Sequence, residues 1–201
     1  MELDPLRRER ILAAAAKLIV TNGLQCSMVA VAEEAGVATG SIYNYFKSKD
    51  DMIRGVYAQL ADVICSRLIP ESDGLDDAQA RIFRYIYDYI DFIWEDRERA
   101  TLFEYLSNVP LITPQELLQT FEKANRHSRG LMAGGQRAGL VADLPPATLA
   151  GYIGGGIRNT LKWRRANPEP LAETERDQIA LMSWNAIAKP GAAKCRASDI
   201  A

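Results

Sequence analysis

The sequence predicts an all-α fold: a head of three helices with a helix-turn-helix, then a larger C-terminal helical bundle, about nine helices in total. Three observations carry this expectation. Apolar residues recur at three- and four-residue spacing along most of the chain, and period-two alternation is scarce. Stop signals at Asn22-Gly23, Gly36, Pro70 to Gly74, Gly139 and Asn167-Pro168 cut the chain into segments of helical length. Of the 201 residues, 48% are hydrophobic and 25% charged, the balance of a globular chain.

The first segment, 6–21, sets Ile11, Leu12, Ala15, Leu18 and Ile19 on one side. Ser27 is placed to cap a short helix over about 28–35, and Gly36 to end it in a tight turn. Val37 follows as a small apolar plug, and a second short helix is expected over about 39–45. Ser48 reads as the next N-cap, with Asp51 three positions on, where a carboxylate can reach back as in a capping box. The helix of 49–69 then carries Met52, Ile53, Val56, Tyr57, Leu60, Ile64 and Leu68 at three-four spacing.

The stretch 77–95 is the most informative of the body. Its polar residues, Arg81, Arg84, Asp88, Asp91 and Glu95, form one narrow stripe, and nearly everything else is large and apolar. Such a helix belongs in the middle of a bundle, where its tyrosines either line a cavity or are plain core. Further helices are expected over 97–107, 114–138, 146–166 and 171–188, with Pro114 and Pro146 at first-turn positions. Gly151, Gly154, Gly155 and Gly156 would each cost about 1 kcal/mol against alanine inside a helix. They imply a close approach, space for a ligand, or a kink. The expected division is a head over 1–48, a larger body over 49–190, and a mobile tail over 191–201.

Composition excludes several classes. No apolar run approaches the roughly 18–20 residues that span a bilayer, and MELDPLRRER has no apolar signal region, so a cytoplasmic chain is expected. Cys26, Cys65 and Cys195 are far apart and form no CxxC pair, which reads as packed thiols plus one in the tail. A single histidine, His127, argues against histidine-based metal sites and triads. With no nucleotide loop or metal cluster either, neither an enzyme nor a cofactor is expected. The net charge is −2, and residues 1–50 balance six basic against six acidic residues. Any affinity for nucleic acid must therefore come from local arrangement rather than bulk charge.

That arrangement is in residues 27–46, SMVAVAEEAGVATGSIYNYF, which have helix-turn-helix spacing. Val31, Ala32, Ala35, Val37 and Ile42 would form the small core between two helices. The exposed face of the second would carry Thr39, Gly40, Ser41, Tyr43, Asn44 and Tyr45. Small residues near its start allow approach to base edges, and tyrosine hydroxyls can donate to phosphates.

With the flanking runs RRERILAAAAKLIVTNG and GSIYNYFKSKDDM, the region 7–57 resembles the TetR family of repressors. The second run is similar to the family signature of Gly, Ser/Thr, an aliphatic, Tyr, two variable positions, an aromatic and a Ser/Asn-Lys pair. The resemblance implies that Thr39, Gly40, Ser41 and Asn44 face bases, that Tyr43, Tyr45 and Lys49 contact phosphates, and that Ser27 is the capping hydroxyl. Departures are Val29 and Ala30, where relatives carry basic or polar residues, Ala38 for a capping Ser, and Thr39 for a frequent Lys. Fewer cations imply weaker phosphate contact.

The resemblance also implies a homodimer on double-stranded operator DNA, with the last two long helices forming a four-helix interface. Ile157, Leu161, Ile179, Met182, Ala186 and Ile187 are its candidate residues. It further implies a small, mostly hydrophobic or aromatic effector beside the central helix, lined by Tyr85, Tyr89, Phe92, Phe103, Phe121, Asn125 and Arg158. A regulator without an effector, controlled by a protein partner, is the alternative, and a filled core around Tyr85 and Tyr89 would favour it.

Overall fold

The structure is a computed structural model and describes residues 4–71, 74, 75, 77–108 and 113–191. The expected tail and Cys195 lie outside the described residues except for Gly191. Among the described residues there are ten α-helices, one short 3-10 turn and a single isolated β-bridge. They are α1 (Pro5–Asn22), α2 (Met28–Ala35), α3 (Thr39–Ile42), α4 (Lys49–Leu68), α5 (Ala78–Glu95), α6 (Arg97–Asn108), α7 (Pro114–Thr120), α8 (Glu122–Arg137), α9 (Pro146–Arg164) and α10 (Glu173–Asn185). The extra helix arises because the expected 114–138 divides at Phe121, whose φ of −98° and ψ of 11° leave the helical path. No glycine or proline marks that break.

Packing separates two compact units. A head unit holds residues 1–63 and 97–121, and a body unit holds 64–96 and 122–201. The packing boundaries therefore do not fall at the expected 48/49: most of α4, with α6 and α7, packs with the head.

In the head unit, Asp4 caps α1 by accepting from the Leu6 N–H at 3.0 Å, ahead of Pro5 at the first helical position. Ile11, Leu12, Ala15 and Ile19 of α1 are buried with Met52, Ile53, Val56 and Tyr57 of α4. Two phenols tie α6 to this core. The buried Tyr57 hydroxyl donates to the Leu106 carbonyl at 2.8 Å, and the Leu24 N–H donates to the Tyr105 hydroxyl at 3.2 Å. Lys17 and Glu34 pair at 2.6 Å between α1 and α2, an exposed contact of little energetic weight.

The body unit is organised around α5. Eight of its residues are buried: Ile82, Phe83, Tyr85, Ile86, Tyr89, Ile90, Phe92 and Ile93. Helices α8, α9 and α10 all pack on it. Its polar stripe is used for docking. Arg176 of α10 grips Asp91 through Nε at 2.7 Å and Nη2 at 2.5 Å, and its guanidinium lies 4.3 Å from the Tyr87 ring centre. Arg67 pairs with Glu95. At the far end Arg165 donates to the Trp94 carbonyl at 2.9 Å and also to that of Ile93, covering carbonyls that the last turn of α5 leaves without helical partners. Trp184 is buried against Phe83, Trp94 lies beneath Arg164 and Arg165, and Trp163 is exposed.

The glycine-rich α9 is one continuous helix, not kinked. Only Gly154 is in a tight place, where a Cβ would stand 3.4 Å from the Tyr89 hydroxyl. The turn between α8 and α9 is tied to the segment that follows α10 at the Val141–Ala188 bridge, where the Ala142 N–H donates to Ile187 and the Lys189 N–H to Leu140, each at 2.8 Å.

Among the described glycines, Gly135 of α8 stands in the tightest place. A Cβ there would meet Val141 Cγ2 at 2.5 Å and Ile82 Cδ1 at 2.8 Å. Gly135→Val should therefore overpack the body by about 1–3 kcal/mol. Urea denaturation checks this, and an unchanged midpoint would show that the site yields freely.

Candidate nucleic-acid interface

The two short helices of the head are set by local chemistry. Ser27, extended at φ −87° and ψ 155°, accepts from the Ala30 N–H at 3.1 Å and starts α2. Gly36 ends it at φ 64° and ψ 40°, a left-handed conformation that costs other residues a Cβ clash. The turn is closed by two reversed bonds: Gly36 N–H to Glu33 at 3.1 Å and Val37 N–H to Ala32 at 2.9 Å. Val31, Ala32, Ala35 and Ile42 are buried, and Val37 is half-buried, as the spacing predicts.

Helix α3 is shorter than expected, four residues rather than 39–45. Ala38 occupies its N-cap and offers no side-chain bond, as the departure at this position implies. Beyond Ile42 the backbone continues as a turn, with Asn44 donating to Ser41 at 3.2 Å and both Tyr45 and Phe46 to Ile42 at 2.9 Å. Phe46 is buried, with the Arg8 guanidinium 5.3 Å from its ring centre, so this turn is anchored to α1. Ser48 caps α4 by accepting from Asp51 N–H at 3.1 Å. The Asp51 carboxylate reaches one residue further back than a capping box, to the Lys47 N–H at 2.9 Å.

The structure brings the candidate DNA-facing residues into one short segment. Gly40, Tyr43 and Asn44 are exposed, Thr39, Ser41, Tyr45 and Lys49 are half-buried, and Ser27 is exposed at the start of α2. Tyr43 is 54% exposed, a large aromatic side chain that the monomer's packing does not use. Arg7, Arg10 and Lys47 are also exposed on the head unit. The helical pattern could place them on a surface, but it carried no signal for a role. Cys26 is buried, and burial pushes its thiol above the ordinary range, the opposite of an activated thiolate.

The candidate effector residues are divided between the two units. Phe103 and Phe121 stack on each other at 6.0 Å within the head unit, whereas Tyr85, Tyr89, Phe92, Asn125 and Arg158 belong to the body unit. There Tyr85 and Tyr89 are buried with rings 6.0 Å apart, Phe92 packs 6.4 Å from Tyr89, and Arg158 donates to the Tyr89 hydroxyl. Burial raises both phenols' pKa. An apolar stripe reads the same whether its neighbours are core or ligand, which is why the sequence grouped these residues.

The candidate dimer residues need a similar correction. Ile157, Leu161, Ile179 and Ile187 are buried within the chain and face its own core. Met182 and Ala186 are exposed, and the large apolar side chains that α9 leaves outside are Tyr152 and Trp163. Periodicity marks an apolar seam but not which body fills it.

Residues 11–56 match the sequence profile described as bacterial regulatory proteins, tetR family. The transcriptional regulator HbdR of Aromatoleum sp. (strain CIB) is 29% identical over 113 residues, 56% of this chain and 49% of HbdR. The matches thus span about half, or less, of the length of these curated relatives. A tetR family transcription regulator from Shewanella sp. PV-4 superposes with a TM-score of 0.83 at 20% identity, covering 91% of this chain and 98% of that one. The regulator FadR of Bacillus subtilis in complex with stearoyl-CoA superposes with a TM-score of 0.74 at 20% identity, covering 94% and 99%. These likenesses extend the fold over nearly the whole chain.

Gly36→Ala should destabilise the turn before α3 by about 1–2 kcal/mol, because the backbone there is left-handed although the space is open. Hydrogen exchange of the Gly36 and Val37 amides should accelerate. Protection equal to that of the parent would mean the turn tolerates a side chain.

Proposed function

The head of this chain belongs to the TetR family, and from that premise we propose that the protein is a DNA-binding transcriptional regulator. It acts as a repressor that holds a palindromic operator as a homodimer and is released by a small, mostly apolar effector. The observation that carries the reading is the exposed trio Gly40, Tyr43 and Asn44, held on a turn that Ser27, Gly36 and Phe46 fix from both sides. An amide side chain such as Asn44 can make two hydrogen bonds to an adenine edge, which phosphate contacts cannot imitate. Tyr43, Tyr45 and Lys49 suit phosphates, and Thr39, Gly40 and Ser41 allow close approach to bases.

One short helix reads few base pairs, so two heads about 34–36 Å apart on a two-fold site complete the reading. The exposed Tyr152, Trp163 and Met182 of α9 and α10 support pairing through that surface. The stearoyl-CoA bound to the FadR neighbour supports a ligand with an apolar portion. The packed Tyr85–Tyr89–Phe92 cluster favours the second reading, a regulator under the control of a protein partner.

Tyr43→Ala should weaken binding to operator and scrambled duplexes alike, by about fivefold for one hydrogen bond of about 1 kcal/mol. Ser41→Ala should instead alter which operator bases are preferred. Fluorescence anisotropy against both duplexes checks this, and an equal loss on both for Ser41→Ala removes it as a base reader. Met182→Glu should disfavour the dimer by burying a carboxylate without a partner. Sedimentation that finds the dimer intact places the interface elsewhere.

Thermal-shift screening of apolar compounds, long-chain acyl thioesters included, tests the effector, with operator release as the deciding readout. If no compound that binds releases operator, control by a partner is the better reading.

A further inference from the structure

The body unit contains a cleft of about 370 Å³ that the DNA-binding reading leaves unused. One wall is a single face of α8, with Lys123, Arg126, His127, Gly130, Leu131, Gly134 and Arg137 following one another at helical spacing. Ile69, Ala78 and Arg81 also line it. Among the described lining residues four are formally cationic, His127 adds a ring nitrogen, and none is a carboxylate. Glu122, which accepts from Arg126 at 3.3 Å and Arg129 at 3.2 Å, offsets part of that charge from the first turn of α8.

Lys123, Arg126 and Arg137 set three positive charges along one wall of the cleft. Lys123 and Arg126 stand one turn apart, where like charges repel. A concave surface with low-dielectric walls also focuses their field outward. The two glycines are a second, independent observation. Gly130 and Gly134 stand one turn apart on the cleft wall, each costing about 1 kcal/mol against alanine inside a helix. Packing does not require them. A Cβ at Gly130 would meet nothing within 4 Å, and one at Gly134 only the Arg137 guanidinium at 3.7 Å. What they provide is bare helix backbone on a wall flanked by cations, a surface that a ligand can approach closely.

We propose that this cleft binds a small phosphorylated molecule, its phosphoryl oxygens held by Lys123, Arg126 and Arg137 and its body against Gly130, Gly134 and Leu131. The volume lies at the lower end of the range of small-molecule sites and accommodates a mononucleotide-sized group. His127 lines the cleft while its ring lies 6.1 Å from that of buried Tyr85. An occupant therefore touches a residue that packs directly on the body core. The site does not depend on the effector reading above, because it needs only phosphoryl groups.

Calorimetric titration of the full chain with tripolyphosphate, ADP and adenosine tests the proposal. Tripolyphosphate and ADP should bind and adenosine should not. Combined Lys123→Gln and Arg137→Gln should weaken both by about tenfold or more, with Tm and operator binding unchanged. Gly130→Leu, which fills the cleft and removes no charge, should weaken ADP more than tripolyphosphate. If Gly130→Leu lowers Tm, the charge variants alone decide. No binding of either phosphate compound at about 1 mM, or equal binding by parent and charge variants, overturns the site. Phosphatidylglycerol vesicles and a non-operator duplex are run in parallel. Binding to either that the charge variants lose, without nucleotide binding, overturns the small-molecule assignment in favour of a macromolecular anion. Operator affinity is measured separately, so failure of the DNA-binding reading leaves this result interpretable.

Discussion

Burial of α5 is the constraint on which the body depends. A helix that buries eight large residues along one broad face needs cover there, and α8, α9 and α10 supply it. Each large side chain removed from water contributes about 1.5–3 kcal/mol. Its few polar residues then have defined duties. Asp91 receives Arg176, Glu95 receives Arg67, and the carbonyls at its end receive Arg165. These contacts convert a non-directional force into a fixed register.

The head solves a different problem. Its candidate recognition helix α3 has only four helical residues and no side-chain cap, too little to persist by helix propensity. It is held from outside instead. The left-handed turn at Gly36 sets where it begins, buried Ile42 fixes its middle, and Phe46 under Arg8 fixes its end. Because anchoring is done by buried residues, the outward positions are left open for the contacts proposed above. Their chemistry is mostly hydroxyl, amide and bare backbone rather than cationic, consistent with the neutral charge balance of the first fifty residues.

Much of this was legible in the sequence. Ser27, Gly36 and Ser48 are local signals acting within a few residues, and each does what its position implies. The all-helical class and the central place of α5 followed from periodicity. What was not legible depends on partners distant in sequence. The break at Phe121 has no local breaker, and Phe121 pairs with Phe103. Ile179 and Ile187 look like an interface until the rest of the chain is seen to cover them. The cleft beside α8 could not be read from that helix alone, because Arg81 and Ile69 come from elsewhere in the chain.

The three tryptophans, Trp94, Trp163 and Trp184, all lie in the body unit, and the head unit has none. Indole emission is therefore blind to the head and reports three separate environments in the body. Trp184 is enclosed in the core, Trp94 is covered by two guanidinium groups, and Trp163 stands in solvent. In the single chain a dissolved ion would quench Trp163 first, the pairing proposed above would shield it, and a red shift on heating would mark the exposure of Trp184. The molecule thus carries a built-in optical distinction between melting of its body and events confined to its head, with no label added.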